Sequence, residues 1–426
     1  MSDAPLHPEN PELFVRTVRI EEPVELAAHV PAAVSAAWMR HGRGLVALGR
    51  AWEVRPSGAE RFAQASTAYR ELAARARVDD EVRTAASGLV ALGSFSYADS
   101  SPRRSTLLVP EAVLGVDDGE AFLTVIGRGR EPELPASWRD LFPSTPPSPA
   151  RAPELEIDPD HTPEEYQELV RRAVAGIREG EAQKVVLSET TTVRSDAPVV
   201  RARLLAALAR AYPSTWVYLV DDVIGASPEM LAQTEDGRLF SRVLAGTRSV
   251  ADDGELDAED RRAFLADPKE RSEHDFARDS VTGRLDTVAA EVHASPEPFV
   301  LRLPGVEHLA SDVTATLLPG VTSLDVAARL HPSAAVSGTP REAADAVIAR
   351  LEARDRGGYA SPVGWMDARG DGQWAIALRM AHLLDEREVR LQAGGGLVAA
   401  SDPVSEHAEA LAKCRPMLRA LRGASG

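Results

Sequence analysis

The 426-residue chain reads as a mixed protein of β-strands and α-helices, on three observations. Its first part is rich in alternating or continuous apolar runs, a proline-laden stretch follows, and beyond it short strand-like runs alternate with helical patterns.

In the first part, Phe14 to Ile20 alternates in hydrophobicity, Gly44 to Val54 is apolar and broken by glycine, and the runs STLLVPEAVLGV and EAFLTVIG continue the pattern. One helix, Ala59 to Arg77, interrupts them with apolar residues at helical intervals. Between Phe142 and Pro163 seven prolines remove backbone donors, which predicts an extended connection. Thr162 can then cap a helix that has Pro163 at its first position, acidic residues in its first turn and Gly180 as its stop. Further on, KVVLSETTTV, TWVYLV and RLFSRVLAG read as strands, Ala202 to Ala211 as a helix, and Pro268 to His293 as one long helix.

Composition narrows the functional classes. Apolar residues make up 44% and charged residues 27% of the chain, an ordinary globular mix able to build a large core. A formal net charge of -17 repels phosphate backbones and anionic headgroups, so no nucleic-acid and no membrane partner is expected. An anionic ligand would need cations gathered locally. No apolar run reaches the ~20 residues of a membrane helix, and the opening MSDAPLHPENPE does not resemble a signal peptide, so a cytoplasmic protein is expected. The single cysteine, Cys414, can form neither an internal disulfide nor a multi-thiolate metal site, and reads as a structural residue on the last helix.

Glu270 and Glu273, and again Glu406 and Glu409, are spaced three apart within helical patterns, which puts each pair on one helix face. Either pair alone is most simply a solvated face; two pairs converging from different helices would make a hard oxygen site suited to Mg2+. Lys413, four residues after Glu409, could pair with that carboxylate or reach an anionic substrate. Three glycine-bearing segments, GASPE, LAGTR and QAGGG, adjoin strand-like runs, where glycine lets backbone approach a ligand; none has the spacing of a nucleotide-binding loop. Lys184, at an element boundary before an apolar run, could be a partly buried base, although a solvent-facing lysine is the simpler reading.

Taken in order, KVVLS, GASPEML, LAGTR, KERSEH, HLASDV, LHPSAAVSGTPREAA, RGGYASPVGWMD, WAIALRMA, LQAGGGLVAASDP and SEHAEALAK resemble the chorismate-utilising enzymes. The matching block runs from about Lys184 to Leu421. The resemblance implies an α+β fold, two large antiparallel β-sheets packed face to face with helices outside and the active site between them. It implies a single domain over residues 1–426: a divergent N-terminal part (1–141) completing the sheets, a connection (142–163) and a catalytic part (164–426). Carried over position by position, Glu273 and Glu409 would contact Mg2+ and Glu270 and Glu406 would hold its waters. Arg379, Lys413 and backbone around Gly246, Thr247, Gly394 and Gly396 would hold the substrate, with Ala335, Val336 and Tyr359 lining the ring pocket.

Within the family, a lysine at the start of KVVLS marks water-using members, where anthranilate synthases carry glutamine. Ala245 occupies the place of the nucleophilic lysine of aminodeoxychorismate synthases. Salicylate synthase keeps the lysine too, but LHPSAAVSGTPREAA with RGGYASPVGW resembles the isochorismate synthases more closely, so isochorismate synthase is the member expected, with salicylate synthase or a catalytically silent chorismate-binding homologue as alternatives; a metal enzyme unrelated to chorismate is a further one. Ser333 and Ala334 depart from the commoner LHPTPA pattern and remove a proline from a pocket loop. The resemblance assigns Lys184 as the base that activates water and Glu229 as the acid that protonates the departing hydroxyl, with their pKa values tuned in opposite directions. The substrate expected is chorismate and the cofactor Mg2+, in a monomer that requires no glutamine amidotransferase.

Overall fold

The computed structural model describes residues 11–148, 151–249, 258–303 and 306–423. They form a thirteen-stranded and a ten-stranded sheet with helices around them, both sheets mostly antiparallel; one parallel pair joins Leu13–Ile20 to Arg77–Asp80. The expected α+β class with two large sheets is what the chain adopts.

Both sheets draw strands from the N-terminal part and from the catalytic part. Val34–Arg40 pairs with Trp216–Val220 in the larger sheet, and Val90–Ser94 pairs with Pro362–Asp367 in the smaller. The run Gly44 to Val54 divides at Gly49, whose φ of 65° suits glycine: Arg43–Leu48 joins the larger sheet and Trp52–Val54 the smaller. Trp38 and Tyr218 of the larger sheet share one apolar core with Val363 and Trp374 of the smaller. A hydrogen bond of 3.0 Å from Trp38 Nε1 to Gln373 Oε1 spans the two. A second core lies on the opposite face of the larger sheet, against the helices Arg201–Ala211 and Pro403–Leu421.

The helix Pro163–Arg178 begins as its sequence indicates, with Thr162 and Glu165 forming a reciprocal capping box, and it stops before Gly180 at φ 89°. Three expectations are corrected. The helix Arg61–Ala73 is shorter than Ala59 to Arg77, because Arg77 already starts an edge strand. The proline-rich connection ends in the strand Leu155–Pro159, placed at the sheet edge where proline is tolerated. The long helix ends at Leu285 and not His293, since Ala289–Ala294 pairs as a strand with Val306–Leu317; sheet pairing overrides the helical continuation there.

Candidate active site

Two places where the chain passes between the sheets position the chemistry. Val223–Ser227 belongs to the larger sheet and Met230–Glu235 to the smaller, so Glu229 sits in the crossing. The amide of Ile376 donates to the Glu229 carbonyl at 3.1 Å, and the Glu229 amide donates to the Ser227 hydroxyl at 3.2 Å. Gly372–Ile376 and Met380–Leu383 make the second crossing, which holds Arg379 at φ 50°, a conformation unusual for arginine.

A cavity of about 350 Å³ opens beside the first crossing, within the range of small-molecule sites. Lys184, Glu229, Glu273, Ala245 and Ala335 line it. Lys184 starts the strand Lys184–Ser195, where the short strand Gly338–Thr339 pairs with it. Its Nζ lies 3.0 Å from Glu273 Oε1 on the helix Pro268–Leu285, both side chains being partly buried. Burial lifts the Glu229 carboxyl to about 7, against the opposing pull of the Lys184 and Lys413 ammonium groups. At neutral pH Glu229 is thus poised to hold or release a proton.

Lys413 comes from the helix Pro403–Leu421. Its Nζ is 2.6 Å from Glu409 Oε1 and donates to the Gly394 carbonyl at 2.7 Å. Both lysines act on Glu229, and both join burial in holding the His308 imidazole below its usual pKa, with Glu409 opposing. Two cations from separate elements therefore serve one centre, the local positive field that the overall charge of -17 requires.

Glycines leave room for the glutamates. A Cβ on Gly395 would stand 2.9 Å from Glu406 Oε2 and 3.6 Å from Glu409 Oε1, and one on Gly246 would stand 3.3 Å from Glu270 Oε2. Gly246, at φ 77°, also forms the bulge that interrupts pairing between Arg238–Ser249 and Val306–Leu317. Burial, reinforced by Glu409, raises the Glu406 carboxyl. The donors are all carboxylate oxygens on two helices, with side-chain-free backbone beside three of them, so the residues fit a hard divalent cation in chemistry. They stand as separate groups: Glu273 is ion-paired with Lys184, and among the described residues no three His, Cys, Asp or Glu side chains are close enough to hold a metal ion.

Of the remaining candidates, Gly396, Val336, Tyr359 and Arg379 do not line the cavity. Gly396 packs on Lys184, since a Cβ there would lie 2.8 Å from Lys184 Cε. Val336 and Tyr359 are buried, and burial raises the Tyr359 phenol. Burial lowers the Arg379 guanidinium, with Tyr359 and Glu409 opposing, which puts Arg379 within the field of both. The Thr247 side chain lies outside the described residues. Cys414 is half-buried, its thiol pushed up to about 11 by burial, as befits an unreactive structural residue.

Two parts of the surroundings escaped the sequence reading. His308 lies in HLASDV opposite Thr247, and a histidine in mid-strand was the available signal. Arg356 is a buried cation paired with Glu352 at 2.6 Å. It donates to the carbonyls of Val186 and Val336, both at 2.7 Å, while Glu352 accepts from the Ser188 amide at 2.8 Å. This pair ties the Lys184 strand to the loop carrying Ala335 and Val336, and nothing in its spacing distinguishes it from an ordinary helix-end ion pair.

Comparison with known families matches residues 22–422 to the model of the chorismate-binding enzymes. The chain belongs to that family. Among its relatives in this chorismate-binding family is the isochorismate synthase DhbC of Bacillus subtilis, 34% identical over 277 residues, 62% of this chain and 69% of that protein. Another is the anthranilate synthase component 1 of Aquifex aeolicus, 36% identical over 313 residues, 71% of this chain and 58% of that one. In structure the chain resembles MenF, the menaquinone-specific isochorismate synthase of Escherichia coli, with a TM-score of 0.77 at 24% identity over 96% of this chain and 95% of that one. That last likeness bears on the fold. No helix among the described residues is long and apolar enough to cross a membrane.

Proposed function

We propose that this chorismate-binding enzyme is an isochorismate synthase, which adds water at ring C2 of chorismate with loss of the C4 hydroxyl. The observation that carries the reading is one cavity lined by both Lys184 and Glu229, with Glu229 raised to about 7. In this reading Lys184 takes a proton from water as the oxygen bonds to C2. The ring double bonds shift, the C4–O bond breaks, and Glu229 gives its proton to the departing hydroxyl, which leaves as water. A glutamate at its ordinary pKa would hold too little proton at pH 7 to serve; burial supplies the difference.

Mg2+, held directly by Glu273 and Glu409 and through waters by Glu270 and Glu406, would bind the ring carboxylate and neutralise its charge. Glu273 must leave Lys184 before that lysine can act as a base. Arg379 and Lys413 bind the substrate's negative charge, and Ala335, Val336 and Tyr359 enclose the ring.

Lys184 supports water as the nucleophile, and Ala245, which lines the cavity, offers none of its own. The reaction so read requires no amidotransferase partner, and its product would feed menaquinone or siderophore synthesis. The test is incubation of the purified protein with chorismate and Mg2+, with and without ammonium, and separation of the products. Isochorismate without pyruvate supports the reading. Salicylate with pyruvate, anthranilate in the presence of ammonium, or no conversion rejects it.

A further inference from the structure

The cavity does not end at the catalytic pair. Ser272, Glu273, Phe276, Ala277, Ser280, Val281 and Arg284 all face it from the helix Pro268–Leu285, a stripe at helical spacing. From Glu273 to Arg284 that stripe is roughly 16 Å long. One end carries Lys184 and Glu229, the middle is apolar, and the far end carries a second cation.

Arg284 is set differently from the other arginine in the wall. Arg242 is spent on Asp312, through Nε at 2.6 Å and Nη2 at 2.9 Å. Arg284 donates only through Nη1, to the carbonyls of Leu330 at 3.2 Å and Pro332 at 2.7 Å. Those bonds fix the guanidinium in place, while its Nε and Nη2 have no hydrogen-bond partner among the described residues. The nearest charges do not neutralise it: Arg341 repels it, and Asp345 is shared with Arg341 at 3.5 Å.

We propose that this end of the cavity is a second carboxylate subsite, for a flat aromatic acid whose ring lies along Phe276, Val281 and Leu330 and whose carboxylate meets Nε and Nη2 of Arg284. The apolar wall supplies burial for a ring and the guanidinium edge supplies two parallel donors, the arrangement a carboxylate accepts best. The subsite stands apart from Lys184 and Glu229 and does not depend on the reaction they perform.

The experiment is calorimetric titration of the full chain with biphenyl-4-carboxylate, and with the neutral biphenyl-4-carboxamide. The carboxylate is expected to bind the wild type, and Arg284→Gln to weaken it roughly 10- to 100-fold, the span of a charge-assisted hydrogen bond. Lys184→Gln should leave its affinity unchanged, and the carboxamide should bind the wild type at least about 10-fold more weakly. Thermal unfolding checks that Arg284→Gln is folded; if it is not, Arg284→Lys and the carboxamide comparison decide. No binding to the wild type at millimolar carboxylate, equal binding of the carboxamide, or a loss in Lys184→Gln as large as in Arg284→Gln overturns the proposal.

Discussion

Lys184 Nζ and Glu273 Oε1 lie 3.0 Å apart, joining the first residue of the strand next to the larger sheet's edge to the helix that walls the cavity. The proposed base is therefore held by a proposed metal ligand, and the two roles are coupled. Lys184→Gln is expected to retain chorismate binding and the native fold while lowering kcat by roughly 100-fold or more. Chorismate titration and steady-state rates on one preparation check this, and unchanged isochorismate formation would remove Lys184 from the mechanism.

Glu229 makes the reaction sensitive to pH. Its carboxyl, raised to about 7 in the free protein, must be protonated to donate, so kcat/KM should fall as pH rises through about 7. Glu229→Gln should lower kcat roughly 100-fold and lose that alkaline limb. The linkage to stability has a defined sign: a raised acid favours folding below its ordinary value of 4.5, and that contribution is lost as pH rises through about 7. Relative to the wild type, Glu229→Gln should thus gain stability between those limits in denaturant unfolding series.

Magnesium dependence should report on the carboxylates of both helices. Glu409→Gln is expected to raise the Mg2+ needed for half-maximal rate by roughly 10-fold or more, and chelation should stop the wild-type reaction. Normal turnover of Glu409→Gln at limiting Mg2+ would refute the metal assignment.

Gly396→Ala tests how closely the lysine is positioned. The new Cβ would stand 2.8 Å from Lys184 Cε, and a lysine chain can swing aside, so the fold should survive while the amine moves. A displacement of about 1 Å is expected to lower kcat by up to roughly 100-fold with little change in melting temperature.

Much of this was legible in the sequence, for identifiable reasons. Thr162, Pro163 and Glu165 set a helix start through purely local chemistry, and the ordered motifs from Lys184 onward indicated the two-sheet fold. The helix beyond Leu285 was misread because the pairing of Ala289–Ala294 with Val306–Leu317 is a tertiary choice that local propensity does not encode. Arg356 and Arg284 were invisible for a similar reason: which guanidinium is buried, and which carbonyls and carboxylates it meets, is decided only when distant segments come together.

Arg356 also carries a stability prediction. Arg356→Met leaves Glu352 buried without its cation and should destabilise the protein by about 3–5 kcal/mol, measured by chemical unfolding. A change under about 1 kcal/mol would show that the pair is not holding the strand and the pocket loop together.

The claim that water is the nucleophile is tested most directly by running the reaction with chorismate and Mg2+ in water enriched in oxygen-18 and locating the label by mass spectrometry. One solvent oxygen at ring C2 of isochorismate, formed by the wild type and not by Lys184→Gln, is the predicted result. Unlabelled isochorismate would mean that the C4 hydroxyl migrates without solvent, and would contradict the account.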